Sequence, residues 1–237
     1  MNNLSVTSAN CRAICVIGVD GTGKTSHALR IVSYLQKTGR RTRYQWFGSP
    51  HLFSIPFMIF CRIIGLTKIY HLPTGKYSEH QYYKNKPVAM LWPWIQLLDL
   101  IVFVFVHVNV SNLLKTTVVC DRFVQDALVG IMDDIDDEEL NLKLVGRTIT
   151  RLQPRSSFVV LLDIDERTAM ERKNDIPHAE YIFRRRKFYR LVATSLQIPI
   201  VNANKPFLAV NKELISKIEA SSFCRHFFPI HSSKVRR

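Results

Sequence analysis

Gly18, Gly23, Lys24 and Thr25 stand in the stretch Gly18-Val19-Asp20-Gly21-Thr22-Gly23-Lys24-Thr25-Ser26 at the spacing G-x-x-x-x-G-K-[ST]. Each fixed position has a physical task. Residues without a Cβ let successive backbone N–H groups curl around phosphate oxygens, and a helix opening there adds its positive N-terminal end. Lys24 at this spacing reaches towards β- and γ-phosphates, and the Thr25 hydroxyl is placed to ligate Mg²⁺. Gly21, Thr22 and Ser26 complete the cradle. A chance glycine turn is the alternative. The flanks disfavour it, because the buried-strand pattern Ala13-Ile14-Cys15-Val16-Ile17 precedes the loop and a helical pattern, Ser26 to Gln36, follows it, closing near Gly39.

A second chemical pair follows another apolar run. Thr116-Thr117-Val118-Val119-Cys120 leads directly into Asp121 and Arg122. A carboxylate at such a strand end is placed to hold Mg²⁺, directly or through water, and the neighbouring guanidinium to spread positive charge over exchanging phosphates. A surface turn with an ion pair is the plain alternative.

These residues need a scaffold. Strand patterns at 13–17, 42–47, 116–120, 158–163 and 198–202 alternate with helical patterns. That order implies an α/β fold of the P-loop NTPase type, three layers αβα, with a parallel five-stranded sheet and helices on both faces. Ligands then lie beyond the C-terminal strand ends, where the glycine loop, Gly48-Ser49-Pro50, Asp121-Arg122 and Asn202-Ala203 all fall. One domain is expected over residues 1–237, with an insertion at about 50–88, a lid at about 172–186 and a basic tail at about 222–237. Within the insertion, Ile55 to Leu66 reads as a short amphipathic helix and Pro73-Thr74-Gly75 as a turn; the rest has no clear pattern.

The 33 Lys and Arg exceed the 19 Asp and Glu, for a formal charge of +14, which favours anionic ligands. The five cysteines form no C-x-x-C pair, so core thiols in a reducing, cytoplasmic setting are expected. Met1 to Asn10 has no apolar core of a secretory signal. The segment 91–110 approaches the length of a membrane span. Asp99 near its middle would cost about 2.5–3.5 kcal/mol there, so a core helix is the preferred reading. The acidic run 133–139 reads as carboxylates before the N-terminus of a helix ending near Arg151, in preference to a metal cluster. The last helix is expected from about Asn211 to Ser221.

Taken together, the chain resembles the thymidylate kinase family of nucleoside monophosphate kinases. The residues carrying the likeness are Gly18 to Thr25 with Asp20, then Asp121-Arg122-Phe123, the strand and helix Leu161 to Lys173, the helix containing Glu180 and Phe188 to Ala193, and the loop Val201 to Pro206, with Asn202 where the family usually has Asp. The resemblance implies transfer of the ATP γ-phosphoryl group with Mg²⁺. It assigns Lys24 and Thr25 to donor phosphates and metal, Asp121 and Arg122 to metal and both phosphates, Asp20 to the acceptor, and Asn202-Ala203 to the base. Thr22 stands where one class of the family has a catalytic Arg, so the expectation moves to the lid: Arg172 first, then Arg184, Arg185 and Arg186.

The acceptor side departs from the family. Gln45 to Pro50 replaces an Arg-Glu-Pro-Gly stretch, Val88 to Leu114 contains no Arg to grip an acceptor phosphate, and Asp126 follows the Asp-Arg pair. Arg43, Arg62, Lys76 and Lys84 are unranked replacements. A carboxylate at Asp126 repels a charged acceptor yet suits a hydroxyl whose proton must be oriented; a structural role for Asp126 stands beside that one. The leading expectation is a nucleotide acceptor, with dTMP as the nearest guess. The alternatives are a hydroxyl of a nucleoside or other small molecule, and an NTP-dependent switch or nucleic-acid partner. The last is disfavoured, because Asn204-Lys205-Pro206-Phe207 lacks the Asp of a guanine-reading motif. A homodimer and peripheral membrane contact are left open, the latter not favoured.

Overall fold

The computed structural model describes residues 13–48, 50–72, 75–173 and 178–221. The expectations for Met1 to Asn10, Cys11, Ser49, the 73–74 turn, the 174–177 part of the lid, Cys224 and the tail at 222–237 lie outside the described residues.

Five strands make one parallel sheet in the order β2-β5-β1-β6-β7: β1 Ala13–Ile17, β2 Thr42–Trp46, β5 Thr117–Asp121, β6 Ser157–Asp163 and β7 Ile200–Asn202. The apolar runs that named β1 and β5 are buried throughout, as strands covered on both faces require. Helices α1 (Lys24–Lys37) and α9 (Phe207–Ala220) contact one another beside β1, β2, β5 and β7. Helices α3 (Lys86–Val104), α5 (Val124–Ile135), α6 (Leu144–Arg151) and α8 (Ala179–Ser195) form the other layer. The expected α/β fold is thus present. The expected helix stop holds too, with Thr38 as the C-cap of α1 and Gly39 at φ 80°.

The insertion after β2 builds structure that the sequence pattern hides. Helix α2 (Ser54–Ile63) is followed by the antiparallel hairpin β3 (Thr67–Leu72) and β4 (Gly75–His80). The pairing brings Tyr70 opposite Tyr77, and the hairpin leans on α8, with Tyr77 against Tyr181 and Tyr70 against His178.

Helix α3 is a core helix on its inner side. Asp99 is buried and accepts the Phe53 and Ser54 N–H groups at 2.6 and 3.1 Å. Its carboxylate therefore sits at the positive end of α2, which explains a charge in so apolar a run. A π-helical turn, Phe105–Asn109, and a short α4, Val110–Leu113, carry the chain to β5.

Two sequence expectations change. Asp133 and Asp134 occupy the last turn of α5, not the approach to α6. The helix dipole opposes carboxylates there, and partners offset it: the Arg184 Nε stands 2.8 Å from Asp133, and the Trp92 indole donates to Asp134 at 2.9 Å. The last helix opens at Phe207, directly after Pro206, one turn earlier than the periodicity suggested. Between them, helix α7 (Glu166–Arg172) is capped by Asp165, whose Oδ1 accepts the Thr168 N–H at 2.8 Å.

Candidate active site

The loop between β1 and α1 turns through left-handed glycines: Gly21 has φ 86° and Gly23 φ 81°. At Gly21 the requirement is double, since a Cβ would also lie 2.7 Å from the Ala169 carbonyl oxygen and 2.9 Å from its Cα. The loop is wedged against α7, and that fixes its curl. At the end of β2, Gly48 has no Cβ because the Trp46 indole folds over it; a Cβ there would come within 2.2 Å of the ring.

A cavity of about 760 Å³ opens above the loop, lined by Asp20, Gly21, Thr22, Gly23, Lys24, Thr25, Ser26, Asp121, Arg122, Arg172 and Ala203. Sequence reasoning named all of these. It missed His27, Trp46, Lys173, Lys205, Phe207 and Val210, which complete the lining. Lys173 had a signal, being adjacent to Arg172. Trp46 ends a strand whose exit was already marked as a ligand edge. His27 and Phe207 had none, because their stacked rings, 4.4 Å apart, join α1 to α9 across the fold.

Gly18, Asn202 and Asp126 do not line the cavity. Gly18 lies at its base, where a Cβ would strike the Leu162 carbonyl oxygen at 2.4 Å. Asn202 turns into its own loop, its Oδ1 accepting the Asn204 N–H at 2.9 Å. Asp126 is buried: its Oδ1 accepts the Tyr189 hydroxyl at 2.5 Å and its Oδ2 the Phe123 N–H at 3.1 Å, closing the first turn of α5. Burial raises its pKa, against the opposing charges of Arg122 and Lys24. Its Oδ1 also stands 3.8 Å from the Arg122 Nη1, so Asp126 is held by α8, by the start of α5 and by the guanidinium that lines the cavity.

The arginines expected of a lid separate in the same way. Arg172 lines the cavity and donates to the Ala203 carbonyl at 2.9 Å. Arg186 forks onto Asp163 at 2.7 and 2.9 Å, Arg184 pairs with Asp133 and Asp136, and Arg185 donates to the Tyr181 hydroxyl. Arg43, Arg62 and Lys84 do not line the cavity, and the side chain of Lys76 lies outside the described residues.

Charge in the cavity is organised around Asp20. Its Oδ1 is 2.6 Å from the Arg122 Nη2, 3.7 Å from the Lys173 Nζ and 3.8 Å from the Lys24 Nζ, and its Oδ2 is 3.4 Å from the Tyr181 hydroxyl. Burial alone would raise its pKa, yet Lys24, Arg122, Lys173 and Arg185 together hold it far below the carboxylate range. Asp20 is therefore ionised. Lys24 donates to the Val19 carbonyl at 2.8 Å. Burial first, then the Arg122 charge, lower its pKa to about 8.

Thr25 and Asp121 meet at the cavity wall, with Oγ1 donating to Oδ2 at 2.5 Å, and the Tyr44 hydroxyl reaches the same oxygen at 2.8 Å. A hydroxyl and a carboxylate converging from two elements are the hard oxygen donors that Mg²⁺ takes, so the residues fit that ion. The left-handed glycine cradle and the five cations of the lining, against two carboxylates, likewise fit a polyphosphate.

A second cavity, of about 220 Å³, lies on the other side of Tyr181. Tyr70, Tyr77, Tyr83, His178 and Tyr181 line it together with Glu79, Asp133 and Arg184.

No family model matches the chain, and no curated protein matches it. Among solved structures, a deoxyadenosine kinase from M. mycoides with bound dCTP is similar at 15% identity, the match covering 88% of this chain and 100% of that one with a TM-score of 0.47. At that identity and TM-score the likeness adds nothing to what the geometry says.

Proposed function

We propose that the chain is a Mg²⁺- and ATP-dependent kinase that phosphorylates a hydroxyl of a nucleoside or similar ring-bearing small molecule. The observation that carries this reading is the ionised Asp20, held between Arg122 and Lys173 at the cavity floor and linked through Tyr181 to the aromatic cavity. A neutral hydroxyl can donate its hydrogen bond to the Asp20 Oδ2, whose contact with the Tyr181 hydroxyl is 3.4 Å long. A ring of about nucleobase size finds Tyr70, Tyr77 and Tyr181 within reach.

In this reading the glycine loop cradles the donor phosphates by its N–H groups. Lys24 exchanges the Val19 carbonyl for a phosphate oxygen. Arg122 and Arg172 carry the charge that spreads over the transferred group. Thr25 and Asp121 would hold Mg²⁺, which when bound would supply positive charge against the donor phosphates. Asp20 orients the incoming hydroxyl; a loose transition state asks little more of a base. Phe207 offers the donor base a ring to stack on.

A second reading retains a nucleotide acceptor, with dTMP as the nearest guess. It is supported by the surplus of cations in the lining, and it requires Arg122 or Lys173 to leave Asp20 for the acceptor phosphate. Incubation with Mg-ATP and a panel of nucleosides, nucleoside monophosphates and sugars separates the two. A phosphorylated nucleoside supports the first reading, and a nucleoside diphosphate from a monophosphate supports the second.

A further inference from the structure

Helix α3 turns an unbroken apolar stripe outward. Leu91, Trp94, Leu98, Ile101 and Phe105 recur at alternating spacings of three and four residues, so they share one line running about 21 Å along the helix and into the π-helical turn. Each is between 42 and 60% exposed. Of the polar groups on the same helix, Gln96 and Asp99 are buried and Lys86 is exposed in the first turn. The helix is thus apolar on its outer side as well as its inner one, whereas the usual surface helix turns a polar face to solvent.

The helix does not leave the protein to cross a bilayer. Lys86–Asn109 is long and apolar enough, with a mean hydropathy of 2.0. Yet Asp99 is bound to the start of α2, Trp92 to Asp134 of α5, and Phe57 of α2 stacks on Trp92. Only the outer stripe is available to a partner.

The ends of the stripe are basic. Residues 80–120 carry Lys84, Lys86 and Lys115 and one acid, the buried Asp99. Lys84 and Lys86 stand at one end of the stripe and Lys115 beyond the other, all three exposed. On its α6 flank, Met90 and Trp94 share with Leu144 a groove of about 530 Å³. The one carboxylate there, Asp137, is paired with Lys143 at 2.5 Å.

We propose that this stripe seats the chain on an anionic lipid surface, with α3 lying in the plane of the interface. The Trp94 and Phe105 rings enter the headgroup boundary, and Lys84, Lys86 and Lys115, at its two ends, meet lipid phosphates. A second copy of the chain is a poorer occupant. Two-fold pairing of the stripe with itself sets basic ends against basic ends, with no acid in residues 80–120 except the buried Asp99 to offset them. The proposal stands apart from the catalytic reading.

The test is flotation of the full-length protein with vesicles of phosphatidylcholine alone or mixed with phosphatidylserine, at low and high salt. Flotation with the mixed vesicles, weakened by salt, is expected. The double variant Trp94→Glu, Leu98→Glu should lower partitioning at least about tenfold, and Lys84→Gln and Lys86→Gln about fivefold each, with circular dichroism and ATP binding unchanged. If the Glu variant does not fold, Trp94→Gln with Leu98→Gln carries the same expectation with a smaller loss. The proposal is overturned if the wild type stays soluble with mixed vesicles, or if folded stripe variants float as well as the wild type. It is also overturned if sedimentation shows a dimer that the stripe variants dissociate, without vesicle binding.

Discussion

Arg122 sits in the left-handed backbone region, at φ 73°, and places its Nη2 2.6 Å from the Oδ1 of Asp20, a residue 102 positions earlier in the chain. A non-glycine residue held there costs on the order of 1–2 kcal/mol. The conformation lets the side chain turn back from the end of β5 over the glycine loop, so one ion pair joins the two loops that frame the cavity.

Removing either partner separates binding from transfer. Asp20→Asn is expected to lower kcat about 10²-fold while the KM for ATP changes only a few fold, because Asn cannot hold Arg122 as an ion pair or accept the hydroxyl as strongly. Arg122→Lys should lose about 10²–10³-fold in kcat/KM, since a point charge replaces a two-pronged donor. Steady-state kinetics on the accepted substrate check both; variants within threefold of wild type would remove the pair from the mechanism.

Gly21→Ala confronts both φ 86° and the Ala169 backbone. The expected outcome is a loss of about 2–4 kcal/mol in stability and a loss of ATP binding. Urea unfolding and calorimetric titration with ATP measure the two. Full binding in the variant would mean that the loop does not have to keep this curl.

Lys24 gives a pH signature. Its free-state pKa near 8 lies below the ordinary lysine value of 10.5, through burial first and the Arg122 charge second. The protonated amine binds phosphate, so kcat/KM is expected to be flat below about pH 8 and to fall about tenfold per unit above it. The stability effect has its own sign. Between pH 8 and 10.5 the unfolded chain binds the proton that the folded chain releases, so this group's contribution to stability rises with pH across that window, and its burial penalty is full below it. Lys24→Met should therefore abolish transfer and yet raise the thermal midpoint of the nucleotide-free protein, the gain being at most about 3 kcal/mol. A lowered midpoint at neutral pH would contradict the burial account.

Asp126 is expected to matter for stability more than for chemistry. Asp126→Asn disturbs the Tyr189 and Phe123 hydrogen bonds and should cost about 1–3 kcal/mol of stability, with kcat of the folded protein within about threefold of wild type. A hundredfold fall in kcat with stability intact would return Asp126 to the acceptor.

The cavity assigned to the phosphate donor was legible in the sequence because its lining residues are local. The glycine loop, Lys24 and Thr25 lie within nine residues between one strand and one helix, and Asp121-Arg122 ends an apolar run of the same kind. The proposed acceptor half was not legible. The cavity assigned to it is built by the β3–β4 hairpin, whose Tyr, His and Lys residues alternate without an apolar period, leaning on α8 through Tyr77 and Tyr181. Asp126 was a candidate because of its position after Arg122, and only the packing of α8 on α5 reveals Tyr189 as its partner. The acidic run misled for a related reason: Asp133 and Asp134 belong to the end of α5 because Arg184 and Trp92, both distant in sequence, offset the dipole there.

The most direct test of the kinase reading is transfer of labelled γ-phosphate from ATP to a nucleoside in the presence of Mg²⁺, with the wild type and Lys24→Ala compared side by side. The expected result is a labelled nucleoside monophosphate from the wild type and none from Lys24→Ala. Undiminished transfer by Lys24→Ala, or no labelled product from any nucleoside, nucleotide or sugar with a wild type that binds ATP, would contradict it.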